Sequence, residues 1–559
     1  MCYAIIYSMQ SISLDIQHLI LGLGNSCSPP DGQQKEYNIR KNIMNILNNI
    51  KKTAENDGDR LVFHSRDGSI TYRELWEQSG RLAAWLNEHA DADRRPVPVY
   101  GHKSPFMLVC FLACTRSGRA YCPLDINMPQ ERIDEIIQTV GSRFVLATRP
   151  LVTGQADVIG PDEIREISLR GVKSGEGAEA PADIDEKYSN KPEDIHYIIF
   201  TSGSTGKPKG VRITTGNLNA YLDWSRTLVG DKSGVFLNQA PFSFDLSVMD
   251  LYTGLATGSA IYAADEALQQ DVPKLMDYLK EGDLQYWVST PSFADVCLSD
   301  PSFNRDSFPA LEAFLFCGET LTKRTAGKLM ERFPDAAVIN TYGPTECTVC
   351  VTSVRVTEEL MADDRPLPIG RAKPGTEFYI MREDGSFAGA GETGELIITG
   401  DTVSPGYFRN PEKTAEVFGE IEPDSAGRKI YAYKTGDSGY KEADGMLYYA
   451  GRIDHQIKLH GYRIELGDIE ANLLKISEIT GAAVIPEKNE DGTVKHLAAF
   501  VVPSAESGMT DCYENRKKIR TGLKDMLPSY MVPKKVRFID EMPLTANGKI
   551  DRKKLGELL

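Results

Sequence analysis

Short apolar runs that alternate with helical segments constrain the fold of this chain more than any other feature. Strand-like runs lie at residues 97–100, 144–146 and 286–289, and helical periodicity fills much of the sequence between them. Such alternation favours a layered α/β domain. From about residue 360 the helices thin out and short β-runs stand between glycine-rich turns, which predicts a β-rich subdomain.

The pattern changes once more after Asp454. Two short strands flank His460-Gly461 and a helix follows them. A hairpin that turns at Asp491-Gly492 comes next, with a further helix and strand behind it. We therefore predict a compact α+β unit that begins at Asp454.

With 559 residues the chain is longer than one ordinary core supports, so we expect more than one domain. We predict a large domain of layered α/β subdomains plus a β-rich subdomain over residues 41–453, and a small α+β domain over residues 454–559. Residues 1–40 are predicted to be a poorly ordered N-terminal extension, and residues 171–195 a surface connection.

The charge balance argues against some classes of partner. The chain has 63 Lys and Arg against 79 Asp and Glu, a net charge of −16. Nucleic acids and anionic membranes both favour an excess of Lys and Arg, so neither is the expected partner. No apolar run approaches the length of a transmembrane helix, which predicts no membrane insertion.

The cysteines indicate a reducing compartment. There are ten, without the spacing of a disulfide framework, which predicts a cytoplasmic protein. Cys347 and Cys350 form a C-x-x-C pair, but no second pair follows at the spacing of a zinc site. We interpret the pair as ordinary packing.

A loop between two predicted strands carries the strongest chemical signal. It follows the strand at 195–200, precedes the strand at 211–214 and reads Thr201-Ser202-Gly203-Ser204-Thr205-Gly206-Lys207-Pro208-Lys209-Gly210. Its hydroxyls, backbone N–H groups and lysines can bind phosphate oxygens, and its glycines permit close approach. Pro208 after Gly206-Lys207 excludes a Walker A loop. A simple Ser/Gly linker is the alternative interpretation.

This loop resembles the phosphate loop of the AMP-forming adenylating enzymes, a superfamily that includes acyl-CoA synthetases, luciferases and the adenylation domains of peptide synthetases. Further motifs follow in the order of that family, and the similarity covers about residues 42–559. They are Asn340-Thr341-Tyr342-Gly343-Pro344-Thr345-Glu346, Gly394-Glu395-Leu396, Tyr433-Lys434-Thr435-Gly436-Asp437, Gly451-Arg452-Ile453-Asp454-His455-Gln456-Ile457-Lys458 and Asn547-Gly548-Lys549-Ile550-Asp551.

The resemblance implies ATP and Mg²⁺ as cofactors and gives several residues a role. The attack of a carboxylate on the α-phosphate brings two anions together, so a cation must stabilise the transition state. By resemblance Lys549 supplies that cation, Asp437 accepts from the ribose hydroxyls, Glu346 carries Mg²⁺ and Asp454 is a hinge. The positions implied for ATP binding are Thr201, Ser202, Gly203, Ser204, Thr205, Gly206, Lys207, Asn340, Thr341, Tyr342, Gly343, Pro344, Thr345, Asp437, Tyr449, Ala450, Gly451, Arg452 and Lys549.

Asp245 indicates which kind of acid is activated. It stands between Phe244 and Leu246, and a carboxylate among apolar neighbours needs a cationic partner. The α-ammonium group of an amino acid is the obvious cation, and by resemblance amino-acid-activating members of the family carry an aspartate here. The alternative is that Asp245 only caps the helix that follows.

Within the family, long stretches are similar to ligases that activate D-alanine. That likeness places Cys317, Val349 and Lys549 with Asp245 in the substrate pocket, where a sulfur of intermediate bulk could favour one enantiomer; a plain buried cysteine is the alternative. It implies formation of D-alanyl-AMP with release of pyrophosphate, then transfer to a phosphopantetheine thiol, as in teichoic acid D-alanylation. No Gly-Gly-x-Ser carrier motif follows Lys549, so we expect a separate carrier protein.

Other functions remain open on the sequence alone. A stand-alone adenylation enzyme for another small amino acid shares every motif named above. A non-catalytic nucleotide-binding homologue is disfavoured by the intact Lys549, Asp437, Glu346 and phosphate loop. A luciferase-like oxidoreductase is disfavoured by Asp245.

Overall fold

A computed structural model describes residues 45–170, 190–203, 207–423, 427–453, 456–459, 461–489, 493–504, 506–544 and 550–559. These residues fall in one compact unit, 44–559. The predicted extension 1–40, most of the predicted surface connection, the turn Asp491-Gly492 and the hinge Asp454 lie outside the described residues.

Helices begin where the sequence supplies capping groups. Thr71 and Thr214 each form a reciprocal capping box with the third residue of the helix that follows. The first described helix begins after the N-cap Asn45, whose side chain accepts from the Asn48 N–H. The helices are α1 (Ile46–Asn56), α2 (Tyr72–His89), α3 (Pro105–Arg116), α4 (Gln130–Val140), α5 (Pro161–Arg170), α6 (Thr215–Leu228), α7 (Leu246–Ala256), α8 (Glu266–Gln269), α9 (Val272–Glu281), α10 (Pro291–Cys297), α11 (Lys323–Arg332), α12 (Glu358–Ala362), α13 (Pro411–Val417), α14 (Leu466–Leu473), α15 (Tyr513–Met526) and α16 (Arg552–Glu557), with 3-10 turns at Thr345–Cys347 and Ser529–Met531.

Strands alternate with these helices in the first part of the chain and dominate the later part. They are β1 (Leu61–Ser65), β2 (Gly68–Thr71), β3 (Val97–Gly101), β4 (Tyr121–Asp125), β5 (Phe144–Ala147), β6 (Asp157–Ile159), β7 (Ile195–Thr201), β8 (Lys209–Thr214), β9 (Val235–Asn238), β10 (Ala260–Ala263), β11 (Tyr286–Ser289), β12 (Ala313–Phe316), β13 (Ala337–Tyr342), β14 (Thr352–Arg355), β15 (Arg371–Ala372), β16 (Thr376–Met381), β17 (Gly394–Gly400), β18 (Phe418–Ile421), β19 (Ile430–Lys441), β20 (Leu447–Arg452), β21 (Gln456–Leu459), β22 (Tyr462–Glu465), β23 (Ile479–Lys488), β24 (Val494–Pro503) and β25 (Lys535–Phe538).

Two layered sheets form the first part of the molecule. One has the strand order β15-β14-β13-β12-β11-β9-β10-β1-β2, and the other has the order β6-β5-β3-β4-β7-β8. Strands β13, β12, β11, β9, β10 and β1 are parallel to their neighbours in that series. Their carboxyl ends therefore meet at one edge, which is where α/β sheets place ligand sites.

The later part is β-rich, as predicted. Strands β16 to β20 form an antiparallel sheet. After it come the hairpin β21–β22 and the sheet β23-β24-β25, whose own apolar cluster includes Ile464, Leu473, Val484 and Leu523. The predicted α/β class, with a β-rich subdomain and a terminal α+β unit, is confirmed. The division at 453/454 stays a prediction.

None of the described helices is long and apolar enough to cross a membrane.

Candidate active site

A cavity lies at the carboxyl ends of β9, β11, β12 and β13, under the hairpin β21–β22. It holds about 730 Å³ of space, its open mouth included. The connection from β9 to α7 contributes a whole wall, and the hairpin contributes the opposite one. The lining residues are Gln239, Ala240, Pro241, Phe244, Asp245, Leu246, Thr290, Cys317, Gly318, Gly343, Pro344, Thr345, Asp437, Arg452, Lys458, Gly461, Tyr462 and Arg463.

Asp245 is half-buried in this cavity wall. It stands at the N-cap of α7, but its carboxylate makes no capping hydrogen bond, so the capping alternative is wrong. Instead the carboxylate accepts a hydrogen bond from the Thr345 hydroxyl, and the Lys458 ammonium acts on it through space. Burial raises the pKa of Asp245 against the lowering effect of these two groups. Within the described part of the chain, this carboxylate thus has no ion pair of its own.

Cys317 follows β12 directly and faces the same cavity. Its thiol Sγ lies 3.8 Å from the carbonyl oxygen of Val349, which accepts from it. Thr348 and Val349 both have positive φ, +63° and +69°, which is strained for β-branched residues. This turn brings the Val349 carbonyl to the thiol, while the Val349 side chain is buried behind the cavity lining.

Tyr342, Asp437 and Arg452 meet at the other end of the cavity. The Tyr342 hydroxyl donates to Oδ2 of Asp437 at 2.5 Å, and Arg452 Nη1 donates to Oδ1 at 2.8 Å. Asn340 and Thr341 donate to backbone carbonyls of neighbouring strands and loops. The carboxylate is therefore fixed in orientation at the cavity edge.

A second, wider cavity adjoins this cluster. Residues predicted to bind ATP line one side of it, and residues after β22 line part of the other side. The predicted residues on its wall are Asn340, Thr341, Tyr342, Tyr449, Gly451 and Arg452. Ala450, also predicted, is exposed on β20 and lines neither cavity.

Glu346, the predicted metal ligand, is fully buried and already has two partners. Its Oε1 accepts from the Tyr407 hydroxyl at 2.8 Å, and its Oε2 pairs with Arg463 Nη1 at 2.6 Å. Burial alone would raise the pKa of Glu346, but the charges of Arg463 and Lys209 outweigh burial and lower the pKa to about 2. The group is an anion at neutral pH, and the cation that it contacts in this structure is the Arg463 side chain. In the described part of the chain no group of three or more His, Cys, Asp or Glu residues could hold a metal.

The predicted phosphate loop joins β7 to β8, which pair antiparallel. Ser202 Oγ donates to the Arg463 carbonyl at 3.0 Å and accepts from the Glu465 N–H at 3.2 Å. Lys209, at the base of the loop, pairs with Glu465 at 3.5 Å. The loop thus contacts β22, although its central residues Ser204, Thr205 and Gly206 lie outside the described residues.

The hairpin β21–β22 closes the cavity. The family resemblance implies that rotation of the small domain brings Gly461 and its neighbours to the active site, but it assigns no chemical role to their side chains. The Gly461 N–H donates to Glu319 at 2.8 Å, and Gly461 has a φ of +79°. Tyr462 packs edge-to-face on Phe244 and stacks on Tyr530. The sequence motif that ends at Lys458 indicated that this segment contributes to the site. It did not indicate which hairpin side chains line the cavity, because that depends on strand register and on how the hairpin docks.

Lys549 and Asp454, predicted as the bridging cation and the hinge, lie outside the described residues, as do the three central residues of the phosphate loop. The nearest described contacts of the Lys549 segment are a bridge between Leu544 and Ile550 and an ion pair of Arg552 with Glu470 at 2.7 Å.

Family models and curated relatives match nearly all of the chain. A model described as AMP-binding enzyme matches residues 50–408, and one described as AMP-binding enzyme C-terminal domain matches residues 468–549. The chain is 42% identical over 514 residues to a D-alanine--D-alanyl carrier protein ligase of Bacillus anthracis, covering 92% of this chain and 99% of the relative. It is also 42% identical over 515 residues, with the same coverages, to the ligase of that name from Bacillus cereus.

Solved structures share the fold. The adenylation domain AlmE of Vibrio cholerae, in complex with glycyl-adenosine-5'-phosphate, has a TM-score of 0.76 at 23% identity, over 96% of this chain and 99% of that one. A nonribosomal peptide synthetase protein with adenylation and PCP domains has a TM-score of 0.75 at 25% identity, over 92% of this chain and 84% of that one. Together, the site geometry, the two matching family models and the relatives show that the chain belongs to the AMP-binding enzyme family.

Proposed function

We propose that this chain activates D-alanine with ATP as D-alanyl-AMP, releases pyrophosphate, and passes the D-alanyl group to the phosphopantetheine thiol of a separate carrier protein. The observation that carries the proposal is the carboxylate of Asp245. It lies in the cavity wall, it does not cap the helix that follows, and burial raises its pKa. An α-ammonium group would supply the missing counter-charge, and Cys317 lies in the same wall to contact the α-carbon substituents.

The amino-acid carboxylate would lie toward the nucleotide side of the cavity. Lys458 and Arg463 line that cavity and offset the negative charge of two converging anions. We propose that Lys549 adds the cation that bridges the carboxylate and the α-phosphate, as its motif predicts. Its role remains a proposal based on the sequence.

The nucleotide would extend from the phosphate loop toward Asp437. A carboxylate held by Tyr342 and Arg452 keeps capacity to accept from ribose hydroxyls. Thr201, Ser202, Gly203 and Lys207 stand at the described ends of the loop that we propose for the phosphates. The second cavity, with Asn340 and Tyr449 on its wall, would take the base.

The residues fit Mg²⁺ if Arg463 first withdraws from Glu346. Glu346 is ionised and buried, and Mg²⁺ in phosphate-binding enzymes needs only one or two carboxylates besides phosphate oxygens. When bound, the ion would neutralise phosphate charge. Glu346 would hold it, and Tyr407 would keep the carboxylate oriented.

The hairpin supports a two-step reaction. We propose that the domain 454–559 turns about Asp454, so that Lys549 reaches the site in the first step and the hairpin faces it in the second. Docking of Gly461 and Tyr462 against the cavity is the arrangement expected for the second step. We also propose a cytoplasmic location, since the cysteines among the described residues are free thiols.

ATP–pyrophosphate exchange with a panel of acids tests the proposal. We expect exchange with D-alanine to exceed that with L-alanine, serine and glycine, followed by loading of a phosphopantetheinylated D-alanyl carrier protein. Exchange that prefers another amino acid would indicate a different stand-alone adenylation enzyme. Exchange with no acid at all would indicate a non-catalytic nucleotide-binding homologue.

A further inference from the structure

Lys103 is a buried lysine to which no motif assigns a role. It stands between β3 and α3, and only 2% of its surface is exposed. Its Nζ donates to Oδ1 of Asn238 at 2.5 Å and to the carbonyl oxygen of Ala240, and it lies 4.8 Å from the ring centre of Phe242. A buried ammonium is costly unless such partners surround it, so this arrangement is a specific one.

The three partners of Lys103 lie at the start of the segment that builds the wall around Asp245: Asn238 directly precedes this segment, and Ala240 and Phe242 belong to it. Asn238 ends β9, and its Nδ2 donates to Oδ1 of Asp250 in α7 at 2.7 Å. Oδ2 of Asp250 has no hydrogen-bond partner among the residues that the structure describes. Lys103 and Asp250 thus hold both ends of the wall segment, residues 239–249, and Asn238 links them.

The wall segment supplies a third of the cavity lining. Its lining residues are Gln239, Ala240, Pro241, Phe244, Asp245 and Leu246. Lys103 itself is not among the described lining residues, so any effect on the substrate must pass through this segment. Burial lowers the pKa of Lys103 to about 8, against the raising effect of the Asp250, Asp125 and Asp265 charges.

We propose that Lys103 is a positioning residue for amino-acid recognition: it fixes the backbone at Ala240 and the side chain of Asn238, and thereby holds Asp245 where it meets the α-ammonium group. The inference rests on the proposed function, because it assumes that the cavity takes an amino acid. Without the ammonium, the Ala240 carbonyl and Asn238 amide oxygen would lose their buried donor, and the wall would rearrange to satisfy them.

The test compares K103M with wild type in D-alanine-dependent pyrophosphate exchange. Methionine keeps the length of the side chain and removes the donor. We expect the KM for D-alanine to rise roughly tenfold, because small displacements of a positioning group have large kinetic effects. We expect the ratio of kcat/KM for D- over L-alanine to fall several-fold, the KM for ATP to change less than about twofold, and K103R to restore part of the loss.

Lys373 provides a matched control for the loss of a buried ammonium. Its side chain is fully buried and pairs with Asp401 at 2.5 Å and with the Pro374 carbonyl at 3.0 Å, and none of these residues is among those described as lining the cavity. K373M should lower the thermal midpoint in the same way as K103M but leave the KM for D-alanine and the D/L ratio unchanged. N238A, which removes one acceptor and leaves Lys103 in place, is a second variant in case K103M does not fold.

The results test two claims separately: that D-alanine is the substrate, and that Lys103 is a positioning residue. Wild-type exchange that fails with D-alanine refutes the proposed substrate, and the comparison is then made with the amino acid that does support exchange. An unchanged amino-acid KM in folded K103M or N238A would overturn the positioning role. A parallel rise of the KM for ATP and for the amino acid would overturn it too, since that pattern indicates general loss of structure.

Discussion

The amino-acid side of the cavity and its phosphate side are built in different ways. On the amino-acid side, Asp245 and Cys317 come from the connections that follow β9 and β12, two strands of one sheet that flank β11. On the phosphate side, Ser202 and Glu346 contact Arg463 and its neighbours on β22, more than a hundred residues later in the chain. Recognition is therefore a property of one sheet, whereas the contacts of the phosphate side join elements that are remote in sequence.

The ion pair of Glu346 and Arg463 shows what this difference means. The Arg463 guanidinium lies against Oε2 of Glu346, and a metal ion bound to the same carboxylate would be repelled by that positive charge, so the two arrangements oppose each other. The carboxylate of Asp245 instead accepts a hydrogen bond from Thr345, which does not belong to β22. We therefore expect substitutions on the phosphate side to separate the two half-reactions, and substitutions on the amino-acid side to alter substrate choice.

The largest effect is expected for Lys549→Ala. Loss of a cation that stabilises transition-state charge should slow adenylate formation about 100- to 1,000-fold. Thiol transfer from preformed D-alanyl-AMP should stay near the wild-type rate, because the proposed rotation withdraws Lys549 in that step. Single-turnover assays of each half-reaction measure this. Lys554→Ala, at an exposed position in α16, is the control, and equal losses in both steps would contradict the rotation.

Asp245→Asn should weaken recognition next most strongly. Removal of the charge that pairs with the α-ammonium group should raise the KM for D-alanine roughly 30- to 100-fold, as expected for a lost buried ion pair. The KM for ATP should change little. Steady-state pyrophosphate exchange measures both constants, and a parallel rise of the two would argue against the role of Asp245.

The same substitution should stabilise the free protein. The folded-state pKa of Asp245 lies above its ordinary value of 3.8, so the folded state disfavours the ionised form at neutral pH. Asparagine removes that cost, which should raise the thermal midpoint at pH 7. The gain should shrink as the pH falls through the raised pKa, where the folded-state acid becomes neutral, and should vanish below 3.8, where the acid is neutral in both states. Thermal unfolding at pH 7 and pH 4 gives the comparison.

The sequence predicted the fold and the amino-acid side of the cavity better than it predicted the contacts of the phosphate side. The α/β rhythm, the β-rich part and the hairpin strands on either side of Gly461 follow from local periodicity and turn residues. Asp245 could be assigned because an acid between apolar residues is conspicuous. Local patterns sufficed wherever the structure depends on neighbours in sequence.

The remaining features depend on long-range contacts. Nothing near Arg463 in the sequence indicates that it pairs with Glu346, and nothing near Lys103 indicates Ala240 as its acceptor. The sequence favoured Asp245 as a pocket acid but left a helix cap as the alternative, and only the missing capping hydrogen bond in the structure decided against the cap. Such contacts arise from packing, which periodicity does not encode.

Gly461→Ala, a substitution in the hairpin, should slow thiol transfer more than it slows pyrophosphate exchange. A Cβ at Gly461 would stand 2.3 Å from Cγ2 of Thr290, and the φ of +79° is unfavourable for alanine. The hairpin should then dock poorly, and thiol transfer should slow about tenfold, while exchange changes less than about twofold. Thr290→Ser removes Cγ2 but keeps the hydroxyl that caps α10, so the double variant should recover part of the rate.

Comparison of Gly461→Ala with the double variant shows how much of the loss in transfer rate comes from the clash with Cγ2 of Thr290. Recovery in the double variant would assign the loss to the contact with Thr290, with the remainder due to backbone strain. Loss of exchange as large as the loss of transfer would instead mean that the hairpin position seen here serves both half-reactions.

The smallest effect is expected for Cys317→Ala. Shortening one side chain in the cavity wall removes a single steric constraint, and discrimination by packing alone is worth about 1–3 kcal/mol. The ratio of kcat/KM for D- over L-alanine should therefore fall by a factor of roughly ten, with the KM for ATP unchanged. Cys297→Ala, another buried cysteine that lies in α10 and outside the cavity lining, controls for the loss of a buried sulfur.

The outcome for Cys317 locates the source of enantiomer choice. The thiol touches the carbonyl of Val349, whose backbone is held at a φ of +69°, so the two residues form one side of the wall. If the ratio of kcat/KM for D- over L-alanine is unchanged in Cys317→Ala but falls in K103M, the enzyme distinguishes the enantiomers by the position of Asp245 and not by the bulk of the sulfur. If both variants lose it, the ammonium contact and the steric contact act together, as a three-point recognition of the α-carbon requires.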